Sequence, residues 1–178
     1  VARIVVLLRA VNLGAHNKVP MARLRQVLTE RGLSDVVTYL QSGNVVLTTR
    51  RTPASVEALV TAVLEEEFGL RVPVTVRTRD ELLAVVAGDP FEGVRTDDSR
   101  HGVAFLDAAP DPERLAAVDP SSYLPDRFVV TGREIHLWCP NGFGDTPLTN
   151  AFLERRLGAV ATTRNWRTVL ALRDLLEA

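Results

Sequence analysis

Ile4-Val5-Val6-Leu7-Leu8 is the stretch on which the fold turns. Five aliphatic residues in a row, bracketed by Arg3 and Arg9, read as a short strand without polar alternation. A sheet with one face in water alternates apolar and polar side chains along its strands. An unbroken run therefore predicts a strand covered on both faces. Val103-Ala104-Phe105-Leu106, inside a second strand over Gly102 to Asp107, has the same character.

Working outward from the first run, Pro20 suits a helix N1 position, and Leu24, Val27 and Leu28 repeat at helical spacing before Gly32 stops them. Val36 to Leu40 and Asn44 to Thr49 are two strands joined at Ser42-Gly43, a hairpin signal. Thr52-Pro53 is a cap followed by an N1 proline, and Val56, Leu59, Val60, Val63 and Leu64 trace one apolar helix face. Val72, Val74 and Val76 alternate as a strand. The order is β-α-β-β-α-β, the split βαβ or ferredoxin-like unit. Thr78 and Glu81 have capping-box spacing and open a short helix ending near Gly88.

A polar connector from Asp89 to Arg100 follows, and the order restarts. After the strand at Gly102, Asp111-Pro112 caps a helix through Val118. Arg127 to Thr131 and Glu134 to Cys139 form a hairpin about Gly132-Arg133, and Thr146-Pro147 caps a helix ending at Gly158. A last helix, about Asn165 to Leu176, stands where a fourth strand is due. The expected fold is α+β: two tandem ferredoxin-like halves packed together, residues 1–88 and 89–178, one compact unit rather than independent domains. The second half ends in an extra helix instead of a fourth strand. Each half is the economical cover for the other's second sheet face; an oligomeric partner is the rival cover.

Composition narrows the function classes. Hydrophobic content of 46% with 24% charged residues is that of a folded chain rather than a disordered one. The apolar runs are far too short to cross a bilayer, and no charged start with an apolar signal segment precedes them, so a cytoplasmic address is expected. The single Cys139 excludes an internal disulfide and any CxxC motif, and it lies on the strand face of Ile135 and Leu137 as a small hydrophobe. His16, His101 and His136 have no ligand spacing, so neither a metal nor another cofactor is expected. His136 shares its strand face with Trp138, which suits cross-strand packing. The net charge of −1 lacks the basic excess of a nucleic-acid binder, and neither half is a basic arm.

Only one of the 21 basic residues is a lysine, Lys18. It closes the loop that begins at Arg9, in a chain that uses arginine everywhere else, which singles out a compact, hydrated ammonium. In the expected topology the hairpin Gln41-Ser42-Gly43-Asn44 lies at the same sheet end as this loop. Arg9, Asn12, Lys18, Gln41 and Asn44 then converge, with Gly14 and Gly43 permitting close backbone approach. Two cations and three carboxamides without a carboxylate suit an anion, a phosphate or carboxylate. Ser42 is the one hydroxyl of the set, and no nucleophile–base pair accompanies it. Asn12, Gly14, Ser42 and Gly43 are equally ordinary turn residues.

The residues Leu7-Leu-Arg-Ala-Val-Asn-Leu-Gly-Ala-His-Asn-Lys-Val-Pro-Met21, Tyr39-Leu-Gln-Ser-Gly-Asn44 and Ala161-Thr-Thr-Arg-Asn-Trp166 resemble, in this order, three signatures of the bacterial domain-of-unknown-function family 1697. The resemblance implies a duplicated ferredoxin-like arrangement and no assigned activity. Ala10 stands where that family usually has glycine, which tightens the first loop. Asp145 and Pro147 stand where relatives carry basic residues, so no phosphate-binding role carries over to Gly142-Phe-Gly-Asp-Thr-Pro147. In the third signature Arg164 and Asn165 can add donors to a cleft, or Thr163 or Asn165 can cap the last helix while Trp166 starts its apolar face.

Three function classes remain: a protein binding a small anionic ligand at the Arg9/Lys18 loop, an RNA-binding module, and a non-catalytic interaction or regulatory protein. RNA is disfavoured because the strands Arg3 to Arg9 and Asn44 to Thr49 carry no aromatic residue on which a base can stack.

Overall fold

Strand β1 (Ala2–Leu8) lies between β3 (Asn44–Thr49) and β4 (Val74–Thr78), antiparallel to both, with β2 (Ser34–Tyr39) on the outer side of β3. In this computed structural model, which describes residues 1–178, the resulting sheet order is β2-β3-β1-β4. Ile4, Val6 and Leu8 pack with Val45, Leu47 and Val76 under Leu24 and Leu28 of α1 (Met21–Glu30) and Val56, Val60 and Val63 of α2 (Pro53–Phe68). Val5, Leu7 and Val46, which alternate with them, are also fully buried. The unbroken run is thus covered on both faces, and each such side chain contributes about 1.5–3 kcal/mol on leaving water.

The helix ends follow local chemistry. Thr52 Oγ1 accepts from Ser55 N at 3.2 Å, Pro53 occupies the first turn, and Gly69 closes α2 at φ 65°. The Thr78–Glu81 capping box is reciprocal: Glu81 N donates to Thr78 Oγ1 at 3.2 Å and Thr78 N to Glu81 Oε2 at 2.8 Å, opening α3 (Arg79–Ala87). Pro20 is the residue before α1 rather than its first member.

The second sheet has the order β6-β7-β5-β8, again antiparallel, from β5 (His101–Leu106), β6 (Arg127–Thr131), β7 (Glu134–Trp138) and β8 (Ala161–Asn165). Ala104, Leu106, Ile135, Leu137 and Cys139 form its core with Leu153 and Leu157 of α5 (Asn150–Leu157). α4 (Pro112–Ala116) is capped as expected, Asp111 accepting from Glu113 N and Arg114 N. α6 (Trp166–Glu177) ends the chain.

Two expectations are corrected. The second half does contain its fourth strand: β8 pairs with β5 from Leu106↔Ala161 to Gly102↔Asn165. Five residues with four polar side chains carry almost no hydrophobic pattern, and the β5 ladder supplies what the pattern lacks. The helix that follows is additional to the strand, not a replacement. Nor does Thr146 cap α5. Its hydroxyl is buried, donates to Asp126 Oδ2 at 2.7 Å and accepts from Leu148 N at 3.1 Å, and Thr149 caps instead through Phe152 N at 3.2 Å. Satisfying the buried Asp126 carboxylate takes Thr146 away from the helix end.

By internal contacts the chain forms two units, Val1–Ala84 with Leu172–Ala178, and Val85–Ala171. In the first, Arg3 Nη2 donates to Leu175 O at 2.9 Å and ties the C-terminal turn to β1. No helix is long and apolar enough to cross a membrane.

Candidate functional site

In the first unit the loop after β1, the β2–β3 hairpin and the segment before β4 meet at one sheet end. Leu8 N donates to Gly43 O at 2.8 Å and Arg9 N to Pro73 O at 3.1 Å. The Asn12 carboxamide fastens loop to hairpin: Nδ2 donates to Gln41 O at 2.7 Å and Val19 O at 2.9 Å, while Oδ1 accepts from Val19 N at 2.8 Å. Asn12 N also donates to Asn17 O at 2.9 Å, and Asn17 Nδ2 to Ala10 O at 3.0 Å. Ala10, Asn12, Gly14 and Asn17 all have φ between 50° and 58°. Four left-handed residues in eight positions form a shape that persists only because these bonds over-determine it.

The predicted residues therefore divide. Lys18 and Gln41 are exposed, and Arg9 is half-buried. Lys18 makes no hydrogen bond or ion pair with the chain. Asn12 and Asn44 spend their carboxamides on architecture: Asn44 is fully buried, donating to Tyr39 O at 2.8 Å and Ser42 Oγ at 3.1 Å. Gly43, at φ 90°, is required because a Cβ there meets Leu8 Cβ and Val11 Cγ2 at 2.8 Å. Gly14 faces open space. Leu13 and Leu40, on the two sides of the rim, are 61% and 54% exposed.

The second unit holds a different arrangement, centred on two buried imidazoles. His101 Nε2 lies 3.1 Å from His136 Nδ1, and Arg95 Nη1 lies 3.1 Å from His101 Nδ1 and 2.5 Å from Asp89 Oδ2. Arginine can only donate, so His101 Nδ1 accepts and its Nε2–H donates to His136. The Trp166 ring stacks on His101 at 4.3 Å and 16°, and Arg95 stands 5.2 Å over that ring. Burial first, then the neighbouring His136 and Arg95, pushes the His101 pKa from 6.5 down to about 4, against the pull of Asp89. Burial alone would raise the Asp89 carboxyl; the bonds from Arg95 and Phe91 N outweigh it and hold the carboxyl below its ordinary value.

Asp89, His101 and His136 offer ligand atoms within 4.8 Å of one another, a set able in principle to hold a metal. The Arg95 guanidinium already stands against two of the three and supplies the positive charge a cation would bring. Spacing along the chain hides this cluster. What reveals it is the ladder, which pairs His101 with Trp138 and Val103 with His136 and so sets the two histidines diagonally on one face.

Arg164, Asn165 and Trp166 do not form one cleft. Trp166 belongs to the imidazole cluster. Asn165 is exposed and caps α6, Oδ1 accepting from Thr168 N at 2.9 Å. The Arg164 guanidinium donates to Thr163 O at 3.1 Å, and burial lowers its pKa to about 10, so it stays charged at neutral pH. Cys139 is buried and its thiol is pushed up to about 11, which makes it a packing residue rather than a nucleophile.

Residues 1–136 match the family described as "Protein of unknown function (DUF1697)". No curated protein matches the chain. Among solved structures, the conserved bacterial protein SP0830 from Streptococcus pneumoniae is similar over 99% of each chain, with a TM-score of 0.79 at 21% identity. That likeness is one of fold.

Proposed function

Taking as premise that the chain belongs to the DUF1697 family, we propose that it binds a small anionic ligand, phosphate- or carboxylate-bearing, at the rim made by the loop 9–20 and the hairpin 40–43. The observation that carries this reading is the Asn12 carboxamide, which joins segments 29 residues apart and holds a strained loop in one shape. On that rim Lys18 is a cation that makes no ion pair with the chain, and Arg9 adds a second positive charge, with no carboxylate in either segment. A preorganised loop with surplus positive charge favours a negative group without further ordering. Leu13 and Leu40 give an apolar portion of the same ligand somewhere to rest. Asn12, Asn44 and Ser42 act by positioning, and Lys18, Arg9 and Gln41 face the ligand.

We read the two equivalent strand orders as a duplicated ferredoxin-like unit, with the ligand rim kept by the first copy. RNA is the weaker reading, because the side chains of β1 and β3 on both faces are almost wholly buried and leave no platform for a base.

A thermal-shift screen with inorganic phosphate, sugar phosphates and dicarboxylates tests the proposal. A ligand at a hundred times its Kd adds about 2.7 kcal/mol of stability, several degrees for a chain of this size. The shift should vanish in Lys18→Ala. A screen without any shift, or one that Lys18→Ala leaves intact, refutes the rim.

A further inference from the structure

The outer strands β2 and β6 hold the same place in their two sheets, each paired on one side only, and they are finished differently. In β2 a bulge interrupts the pairing. Ser34 to Val37 takes three steps where Thr48 to Val46 takes two, and Asp35 stands at φ 48°. Such a bulge keeps an open edge from accepting a further strand. β6 has no such device. Its residues pair with β7 in unbroken register from Arg127↔Trp138 to Thr131↔Glu134, and Arg127-Phe-Val-Val-Thr131 contains neither proline nor lysine.

The two-residue turn Gly132-Arg133, with Gly132 at φ 60°, makes Thr131 and Glu134 the pair that closes the hairpin. Bonding then alternates along β6: Arg127, Val129 and Thr131 bond toward β7, while Phe128 and Val130 direct N–H and C=O to the open side. Apolar surface lies along this edge. Val94, Leu124 and Val129 line one cleft of about 510 Å³ and are 41%, 61% and 38% exposed. They are the only exposed large apolar side chains of the second unit, so its uncovered hydrophobic surface is confined to the open strand and its surroundings.

An antiparallel copy of β6 completes this edge in one register. Phe128 of one copy bonds with Val130 of the other, Val129 faces Val129, and Arg127 faces Thr131. The strand's one charge is thereby set opposite a hydroxyl instead of opposite itself, and Val129 is covered. The hairpin end of the second copy falls on the half of β6 that borders the cleft. An unrelated extended peptide meets the same backbone, but only a second copy brings side chains that this register pairs throughout. We infer that two copies of this chain associate through β6 about a two-fold axis, joining their second sheets into one. One short strand and one cleft make a small contact beside the about 1,200–2,000 Å² of stable interfaces, so association follows concentration. It does not depend on the anion rim.

Sedimentation velocity on the full chain, from micromolar to sub-millimolar concentration, reads the association. The wild type should pass from one copy to two. Val129→Lys sets two ammonium groups against each other at the axis, on a side chain that the single chain leaves partly in water, and should weaken the dimer at least tenfold. Thr131→Arg gains Glu134 as a partner across its own hairpin but stands opposite Arg127 of the second copy. It should keep the thermal midpoint and weaken the dimer severalfold. Adding Arg127→Glu turns that repulsion into two opposite-charge pairs and should restore association. Should Val129→Lys lose its fold, Thr131→Arg with and without Arg127→Glu decides alone. A wild type that stays single over the whole range, whether or not it takes up an extended peptide, overturns the inference. So does a dimer that folded Val129→Lys leaves intact, or a Thr131→Arg loss that Arg127→Glu does not recover.

Discussion

The two units share one strand order and keep their irregular backbone at opposite ends of it. In the first, the complexity lies where β1 finishes: a 12-residue loop with four left-handed residues, and a hairpin with a buried asparagine. The same end of the second unit is plain, with a short step from β5 to α4 and a two-residue turn at Gly132-Arg133. There the irregular segments gather where β5 begins, in the connector 88–100 and the stretch 139–149. Equivalent frames thus leave different ends free to vary. A loop built over an aliphatic core fixes its shape by its own hydrogen bonds, whereas the second unit extends polar groups into the core itself.

The equivalent hairpins give the largest predicted difference. At Gly43 an alanine Cβ meets Leu8 and Val11 at 2.8 Å and must hold φ 90°; at Gly132 the nearest atom is Glu134 Oε2 at 3.9 Å, and only φ 60° opposes it. Overpacking costs about 1–3 kcal/mol and the left-handed backbone about 1–2 kcal/mol. Gly43→Ala should therefore lose about 3 kcal/mol in urea denaturation and Gly132→Ala about 1 kcal/mol. Equal losses would mean that the hairpin of the first unit is no more constrained than its counterpart.

Acid should separate the units next. His101 is held neutral to about pH 4, whereas in the unfolded chain it takes its proton near 6.5. Between those values the unfolded state binds the extra proton, so the stability that neutral His101 contributes is complete above 6.5 and is lost as pH falls toward 4. His136 is lowered too, chiefly by burial, and acts in the same direction. The loss should be on the order of 2–3 kcal/mol. Hydrogen exchange should show β5 and β7 amides losing protection across this window while those of β1 and β3 keep theirs. Trp166, stacked on His101, should dim in fluorescence together with the β5 loss.

Asn12→Ala sharpens the comparison from the other side. It removes three side-chain bonds from the rim and places a second alanine in the left-handed region. A loss of about 2 kcal/mol is expected, together with the phosphate-dependent thermal shift. A variant that keeps its anion response would show that Lys18 does not need a fixed loop.

Legibility in the sequence followed the same divide. β1 could be read because five aliphatic residues leave no alternative, and the Thr52, Asp111 and Thr78–Glu81 caps because each partner lies within three residues. β8 was hidden because Thr162, Thr163, Arg164 and Asn165 owe their strand to β5, nearly sixty residues earlier. Thr146-Pro147 imitates a cap in sequence, and only the fold brings Asp126 to its hydroxyl. Convergence of the Arg9–Lys18 loop on the hairpin was legible from topology alone. That Asn12 and Asn44 serve the backbone was not, since an asparagine in a turn looks the same whether it faces a ligand or a carbonyl.

The smallest effect expected is a gain. Ala10 holds φ 57° with a Cβ that opposes it, whereas its neighbours in the same region are asparagines and a glycine, which tolerate it. Ala10→Gly relieves about 1–2 kcal/mol of backbone strain. Glycine's greater freedom in the unfolded chain takes back about 0.4–1 kcal/mol. The Asn17 bond to the residue-10 carbonyl involves only backbone on that side and survives the change. A rise of about 0.5–1 kcal/mol in urea stability should follow, with the Lys18-dependent anion response preserved. If stability rises while that response falls, the strain at Ala10 is itself part of what aims Lys18, and the loop's tension belongs to its function rather than to its folding alone.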